Sequence, residues 1–128
     1  MFSCTRTETR FVMEGKTAGA VRKYPKGECP HKAGSQIAFT SKFLPWMEGD
    51  RKSVPFARGT IVSVRPGTVG SFRKDNRLAK QDGFANGNVW HGHLCQLYDG
   101  IKDDESVYHI TFRVDKVDTK AGQQKQAS

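Results

Sequence analysis

The sequence predicts an α+β fold: a small mixed or antiparallel β-barrel flanked by about three short helices. Three observations lead there. Residues 108–114 alternate Tyr108, Ile110, Phe112 and Val114 with His109, Thr111 and Arg113, the period of a half-buried strand. Residues 54–64 are rich in β-branched side chains, as a long strand requires. Helical stretches, each opened by a capping residue, lie between the strand signals.

Taken in order, residues 2–5 make a first short strand. Thr5 and Glu8 have the spacing of a capping box, which opens a helix running to Glu14, with Gly15 as its terminator and Arg10 and Glu14 as an i,i+4 pair. Residues 18–23 are the next strand. The stretch Y-P-K-G-E-C-P-H-K-A-G that follows holds two prolines and two glycines and reads as a long, basic, exposed loop. In residues 35–43, Ile37, Phe39 and Phe43 share one face of a strand and Gln36, Thr40 and Lys42 the other. Residues 45–52 break it. The strand over 54–64 carries Pro55 near its start, where a missing amide is tolerated, and R-P-G-T-V-G-S then turns the chain. Ser71 caps a helix to about Lys80. Asn88 caps another to about Asp99, burying Val89, Trp90, Leu94, Leu97 and Tyr98 and ending at Gly100.

These elements fit a single domain over residues 1–117. From Asp118 to Ser128 there is no large apolar side chain to offset the entropy of ordering, so 118–128 reads as a flexible tail. Of the 128 residues, 36% are hydrophobic and 27% charged, which supplies one core and excludes wholesale disorder. No run approaches the length of a membrane span, and residues 1–10 are polar where a secretory signal is apolar. A soluble, cytoplasmic protein without a membrane partner is expected. Cys4, Cys29 and Cys95 are odd in number and widely spaced, so they read as reduced thiols.

Charge is unevenly distributed. Residues 1–80 hold 16 Lys and Arg against 6 Asp and Glu, a net +10, whereas residues 81–128 hold 5 against 7, a net −2. Such asymmetry favours an anionic partner, because each neutralised phosphate releases counterions. Arg22, Lys23, Tyr24, Lys26 and Lys32 fall within eleven residues, and Phe43, Trp46, Arg51, Lys52 and Arg58 follow across the next loop and strand. Cations interleaved with aromatic rings suit an exposed base held between a ring and a guanidinium.

Other motifs are weaker. Gly15-Lys16-Thr17 has the ending of a phosphate-binding P-loop, but position 10 is arginine where that loop needs glycine, which excludes it. Gly67-Thr68-Val69-Gly70 imitates a backbone-clamping GxxG loop, with Ser71, Arg73 and Lys74 behind it where an anion would sit. Cys29 and His31, with His91, His93 and Cys95, are residue types that zinc accepts, yet no CxxC pair is present and His93 points away from His91 and Cys95 on a helix. No metal and no cofactor are therefore assigned. There is no G-x-S-x-G elbow. Asp82, in a loop after a basic stretch, is the carboxylate to watch.

A short strand, a capped helix ending in R-F-V-M-E-G-K-T, a strand ending in A-V-R, a glycine-led strand at Gly34, a long strand, A-K-Q-D-G-F, a helix and a final Y-H-I-T-F strand resemble, in that order, the ASCH family of PUA-like domains. The resemblance spans residues 2–114 and rests mostly on Gly15, Arg22 and residues 79–84. It implies a small barrel whose cleft binds RNA or a modified base. It also implies, as an alternative, a small hydrolase that removes the acyl group of N4-acetylcytidine with a lysine, a threonine and a carboxylate, or a ribonuclease. Anchored on Gly15 and Arg22, the lysine slot holds Thr17 and the threonine slot Ala20. Moved by one residue, the pattern recovers Lys16 but puts Gly19 in the threonine slot. Asp82 falls near the family's carboxylate.

Three functions follow as expectations. The first is binding of RNA or a modified nucleotide, with DNA as a variant, through Lys16, Arg22, Lys23, Tyr24, Lys26, Trp46, Arg58, Arg73 and Lys74. The second is hydrolysis, with Lys16, Thr17 and Asp82 as catalytic residues and the lysine as base or nucleophile. The third is an acidic protein partner on the basic face.

Overall fold

A computed structural model describes residues 2–24, 29–44 and 52–117. In chain order the elements are β1 (Phe2–Ser3), α1 (Arg6–Glu14), β2 (Gly19–Arg22), β3 (Gln36–Ser41), β4 (Val54–Thr68), α2 (Val69–Arg73), α3 (Asn76–Gln81), α4 (Gly87–Tyr98) and β5 (Ser106–Val117). The expected tail, 118–128, lies outside the described residues. The strands form one sheet in the order β1-β3-β4-β5-β2, in which β1 runs parallel to β3 and every other pairing is antiparallel. Register shifts in β4 at Arg58/Gly59 and Ile61/Ser63 bend the long strand and curl the sheet into a half-barrel.

The sheet is covered on both faces. Inside the curl, Phe2, Val12, Ile37, Phe39, Phe56, Ile61, Ile110 and Phe112 form one buried cluster, to which α1 contributes Val12. On the other face, Val21, Val69, Phe72, Leu78, Trp90, Leu94 and Val107 form a second, under the helices α2, α3 and α4. The alternation read in residues 108–114 thus divides β5 between the two: Ile110 and Phe112 enter the first cluster, and His109 lies on the opposite face.

Local chemistry explains the element ends. The Thr5 hydroxyl accepts from the Glu8 amide at 3.1 Å and the Glu8 carboxylate accepts from the Thr5 amide at 2.9 Å, so the capping box is complete. Gly15 ends α1 with φ +70°, a conformation that favours glycine. The expected Arg10–Glu14 pair is absent among the described ion pairs, and Glu14 meets Lys16 at 3.2 Å instead.

Three expectations are corrected. The R-P-G-T segment is strand, not turn, because β3 pairs with β4 only as far as Thr60; beyond it one side of β4 has no β3 partner, so the missing amide of Pro66 breaks no ladder there. The single helix over 71–80 is two. Thr68 caps α2 with Ser71 as its reciprocal partner, and Asp75 opens α3 by accepting from the amides of Arg77 and Leu78 at 3.0 and 3.2 Å. Finally, Asn86 rather than Asn88 caps α4, accepting from Val89 at 3.0 Å, while the Asn88 side chain accepts from Arg73 Nε at 3.2 Å. Among the described residues this gives four short helices beside the half-barrel.

The start of α4 is pressed against α2: a Cβ at Gly87 would lie 1.8 Å from the Arg73 carbonyl oxygen, whereas one at Gly92 meets nothing within 4 Å. Gly87→Ala is therefore expected to destabilise the protein by about 1–3 kcal/mol through overpacking, and Gly92→Ala to stabilise it by about 0.5–1 kcal/mol through helix propensity. Urea unfolding of both variants checks the pair; equal effects would contradict the close approach at Gly87.

Candidate nucleotide-binding cleft

The first functional feature is a buried ion pair that ties the sheet's two edge strands together. Arg22, at the end of β2, directs Nη2 to Glu8 Oε1 at 2.6 Å and to the Ser3 carbonyl of β1 at 2.8 Å, and Nη1 to Glu8 Oε2 at 2.8 Å and its neighbour Val21's carbonyl at 2.9 Å. Its guanidinium also lies 4.3 Å over the Phe2 ring. Both side chains are nearly out of solvent, at 13% and 10% exposure. Burial by itself would raise the Glu8 carboxyl, but the Arg22 charge and the hydrogen bonds outweigh it and hold Glu8 far below the usual carboxylate range. The same partner raises Arg22 further.

Beside this pair an open cleft of about 400 Å³ runs between α1 and α4, lined among others by Cys4, Arg6, Phe43, His93 and Leu97. A second cleft of about 550 Å³ adjoins it along α1, sharing Arg6, Thr7 and Phe43 and adding Arg10 and Met13. Phe43 stands where the two meet. Its position is fixed from behind: the Phe43 amide donates to Ser41 Oγ at 2.9 Å, and that hydroxyl lies 2.6 Å from Thr9 Oγ1 on α1. The Arg6 guanidinium lies 4.7 Å from the Phe43 ring centroid and the Lys42 ammonium 5.8 Å. At the inner end, His93 Nε2 is buried without a hydrogen-bond partner among the described residues, 3.9 Å from Glu8 Oε2 and too far for a hydrogen bond. The Phe84 ring packs against His93 with centroids 5.0 Å apart. Burial pushes the nearby Cys4 thiol well above its ordinary range, so it is an inert part of the wall.

A second polar pair lies on the other face of the sheet. Asp82 is 3% exposed and accepts from His109 Nε2 at 2.9 Å and from Trp90 Nε1 at 3.1 Å. Burial raises its carboxyl against the lowering effect of those bonds. The pair abuts β2 so closely that a Cβ at Gly19 would lie 2.4 Å from Asp82 Oδ1.

Lys16, Thr17 and Asp82 lie on neighbouring segments, with the Ala18 amide donating to the Gln81 carbonyl at 2.8 Å, whereas the nucleic-acid candidates are spread over several elements. Lys16 is exposed and paired with Glu14, and Thr17 donates its hydroxyl to the Gly19 carbonyl at 2.9 Å. Asp82 takes its hydrogen bonds from His109 and Trp90 rather than from either of them. Of the two threonine slots, Ala20 is buried in the core and Gly19 faces Asp82 with no room for a side chain. Arg22 is committed to Glu8, Lys23 bonds Glu105 at 2.9 Å, and Tyr24, raised to about 12 by burial first of all, packs near Tyr108. Arg58 is exposed opposite Lys116 on the outer β4–β5 ladder. Arg73 reaches Asn88 and Asp103, and Lys74 is exposed beside it. Lys26 and Trp46 lie outside the described residues.

The zinc-type residues also separate. His91 and Cys95 do share a face, with Sγ 3.7 Å from Nε2, but the His31 ring packs 5.7 Å from Phe2. Among the described residues no three His, Cys, Asp or Glu side chains converge on a metal position, and no helix is long and apolar enough to cross a membrane.

Sequence reasoning named Phe43 but missed Arg6, Arg10, Lys42 and His93 around it, and the Glu8 carboxylate beside His93. Arg6 and Arg10 were findable, being four apart on one helical face. Glu8 and His93 were not, since their meeting depends on how α4 folds over α1.

No protein-family model matches this sequence, and neither does any curated protein. Solved structures do match the fold. A protein of Enterococcus faecalis V583 from the family DUF984 superposes with a TM-score of 0.64 at 15% identity, over 93% of this chain and 72% of that one. An ASCH domain from Lactobacillus crispatus JV V101 superposes with a TM-score of 0.52, also at 15% identity, over 88% of this chain and 79% of that one. The chain has an ASCH-like fold.

Breaking the buried pair tests its role. Glu8→Gln leaves Arg22 without a counter-charge and is expected to cost about 3–5 kcal/mol at pH 7. Because the folded Glu8 carboxyl titrates far below its unfolded value, its contribution is present above the ordinary glutamate range and fades as pH falls below about 4.3. Urea unfolding of wild type and variant from pH 7 to pH 3 should show the gap narrowing toward acid; a constant gap would contradict the pairing.

Proposed function

We propose that the protein binds RNA or a modified nucleotide, with a base stacked on Phe43 in the cleft between α1 and α4. The observation that carries this reading is the Phe43 ring, attended by the Arg6 guanidinium at 4.7 Å and the Lys42 ammonium at 5.8 Å at the junction of two clefts. A base stacking on such a ring gains about 1–3 kcal/mol, and adjacent cations meet the phosphates on either side. His93, in the wall of the same cleft, adds a buried Nε2 that has no hydrogen-bond partner among the described residues. Arg10, on the same face of α1, extends the cationic side.

This reading keeps the partner expected from the charge asymmetry and moves most of its contacts. Arg22 acts from beneath, holding Glu8 and the edge strands so that the cleft keeps its shape. The ASCH-like fold supports a nucleic-acid partner through the resemblance already noted.

The test is an anisotropy titration of a labelled single-stranded RNA, with the matching DNA, at two salt concentrations. Phe43→Ala should weaken RNA binding about 5- to 150-fold, the equivalent of one lost stack. Arg6→Gln and Lys42→Gln should each reduce the salt slope by about one. RNA affinity unchanged by Phe43→Ala, or no binding at low salt, would refute the assignment; in the second case an acidic protein becomes the partner to seek.

A further inference from the structure

We propose that a small pocket on the opposite face of the sheet, between the β4–β5 ladder and α3, binds a phosphate group. This site is independent of the Phe43 cleft. It measures about 140 Å³ and is lined by Ser63, Arg65, Arg77, Gln81, His109 and Thr111, with Asp75 and Leu78 completing its α3 side. A water needs only about 10–15 Å³ of such space, so the pocket has room for a tetrahedral oxyanion with some solvent.

The register explains how the donors converge. Arg65 pairs with His109 and Ser63 with Thr111 across the antiparallel ladder, so all four side chains leave the same face. The bulge at Ile61/Ser63 restores that phase after Ile61 has pointed into the core. Arg65 is steadied by the Phe72 ring 5.2 Å away, and Arg77 comes from the first turn of α3. Among the described residues neither arginine pairs with a carboxylate within 4 Å.

The one acid in the lining is already occupied. Asp75 Oδ1 accepts from the Arg77 and Leu78 amides as the cap of α3, and those bonds offset its charge locally. His109 forms the floor, and Asp82 behind it, itself held by Trp90, fixes the ring. Two guanidiniums at the mouth with hydroxyls and an amide on the walls, over the fixed His109 ring, make a donor set suited to an oxyanion.

Titration of the ¹⁵N-labelled protein with inorganic phosphate, followed by amide and histidine NMR shifts, tests this. Saturable shifts confined to residues 63–65, 75–81 and 109–111 are expected. Arg65→Ala or Arg77→Ala, both at exposed positions, should weaken binding at least tenfold, with thermal unfolding confirming an intact fold. Phe43→Ala should bind phosphate as the wild type does, so this proposal and the base-binding cleft fail separately. If single-stranded RNA shifts the same resonances and loses salt slope in the double arginine variant, the phosphate is that of a nucleic-acid backbone. If inorganic phosphate alone shifts them, it is a free anion. Linear, non-saturating shifts, or shifts unaltered by loss of both arginines, would overturn the site.

Discussion

The Arg22 guanidinium holds together what the backbone leaves open. Among the described residues the sheet, in the order β1-β3-β4-β5-β2, ends in β1 and β2, and Arg22 reaches from β2 to the Ser3 carbonyl of β1. Glu8 neutralises it from α1, so a single buried pair links two strands and a helix. Taking two charges out of water is costly, and only the bidentate geometry together with the extra carbonyl acceptors offsets that cost. The cleft between α1 and α4 exists because this pair fixes where α1 lies against the half-barrel.

The sheet separates two kinds of polar chemistry. Toward α1, two cations flank an aromatic ring at a cleft whose wall includes a histidine nitrogen without a hydrogen-bond partner among the described residues. Toward α3, two arginines line a small polar pocket above a histidine fixed by a buried aspartate. Among the described residues Asp82 takes its hydrogen bonds from His109 and Trp90, and the neighbouring Thr17 hydroxyl bonds the Gly19 carbonyl.

Local signals were legible and long-range ones were not. The Thr5/Glu8 capping box, the Gly15 terminator and the alternation in 108–114 depend on residues within a few positions of each other, and the sequence alone located all three. The turn expected at R-P-G-T failed because proline's tolerance there depends on β3 ending short of it, a fact of the sheet order. Splitting of the helix over 71–80 was readable in principle, for Asp75 is a stronger cap than its neighbours. The site was the least legible part. Glu8 looked complete as a capping residue, and nothing local reveals that its carboxylate also meets a guanidinium from β2. Charge counted along the chain likewise did not show which cations would share a surface: Lys16, Arg58 and Arg73 diverge, while Arg6 and Lys42 converge on one ring.

Base stacking at Phe43 is the claim on which the functional account turns, and chemical-shift mapping with a short single-stranded RNA addresses it directly. The account predicts that the largest changes fall on Arg6, Arg10, Lys42 and Phe43, with the His93 ring among them. Changes absent from that set and confined to the outer ladder around Arg58 and Lys116, or to Arg73 and Lys74, would contradict it.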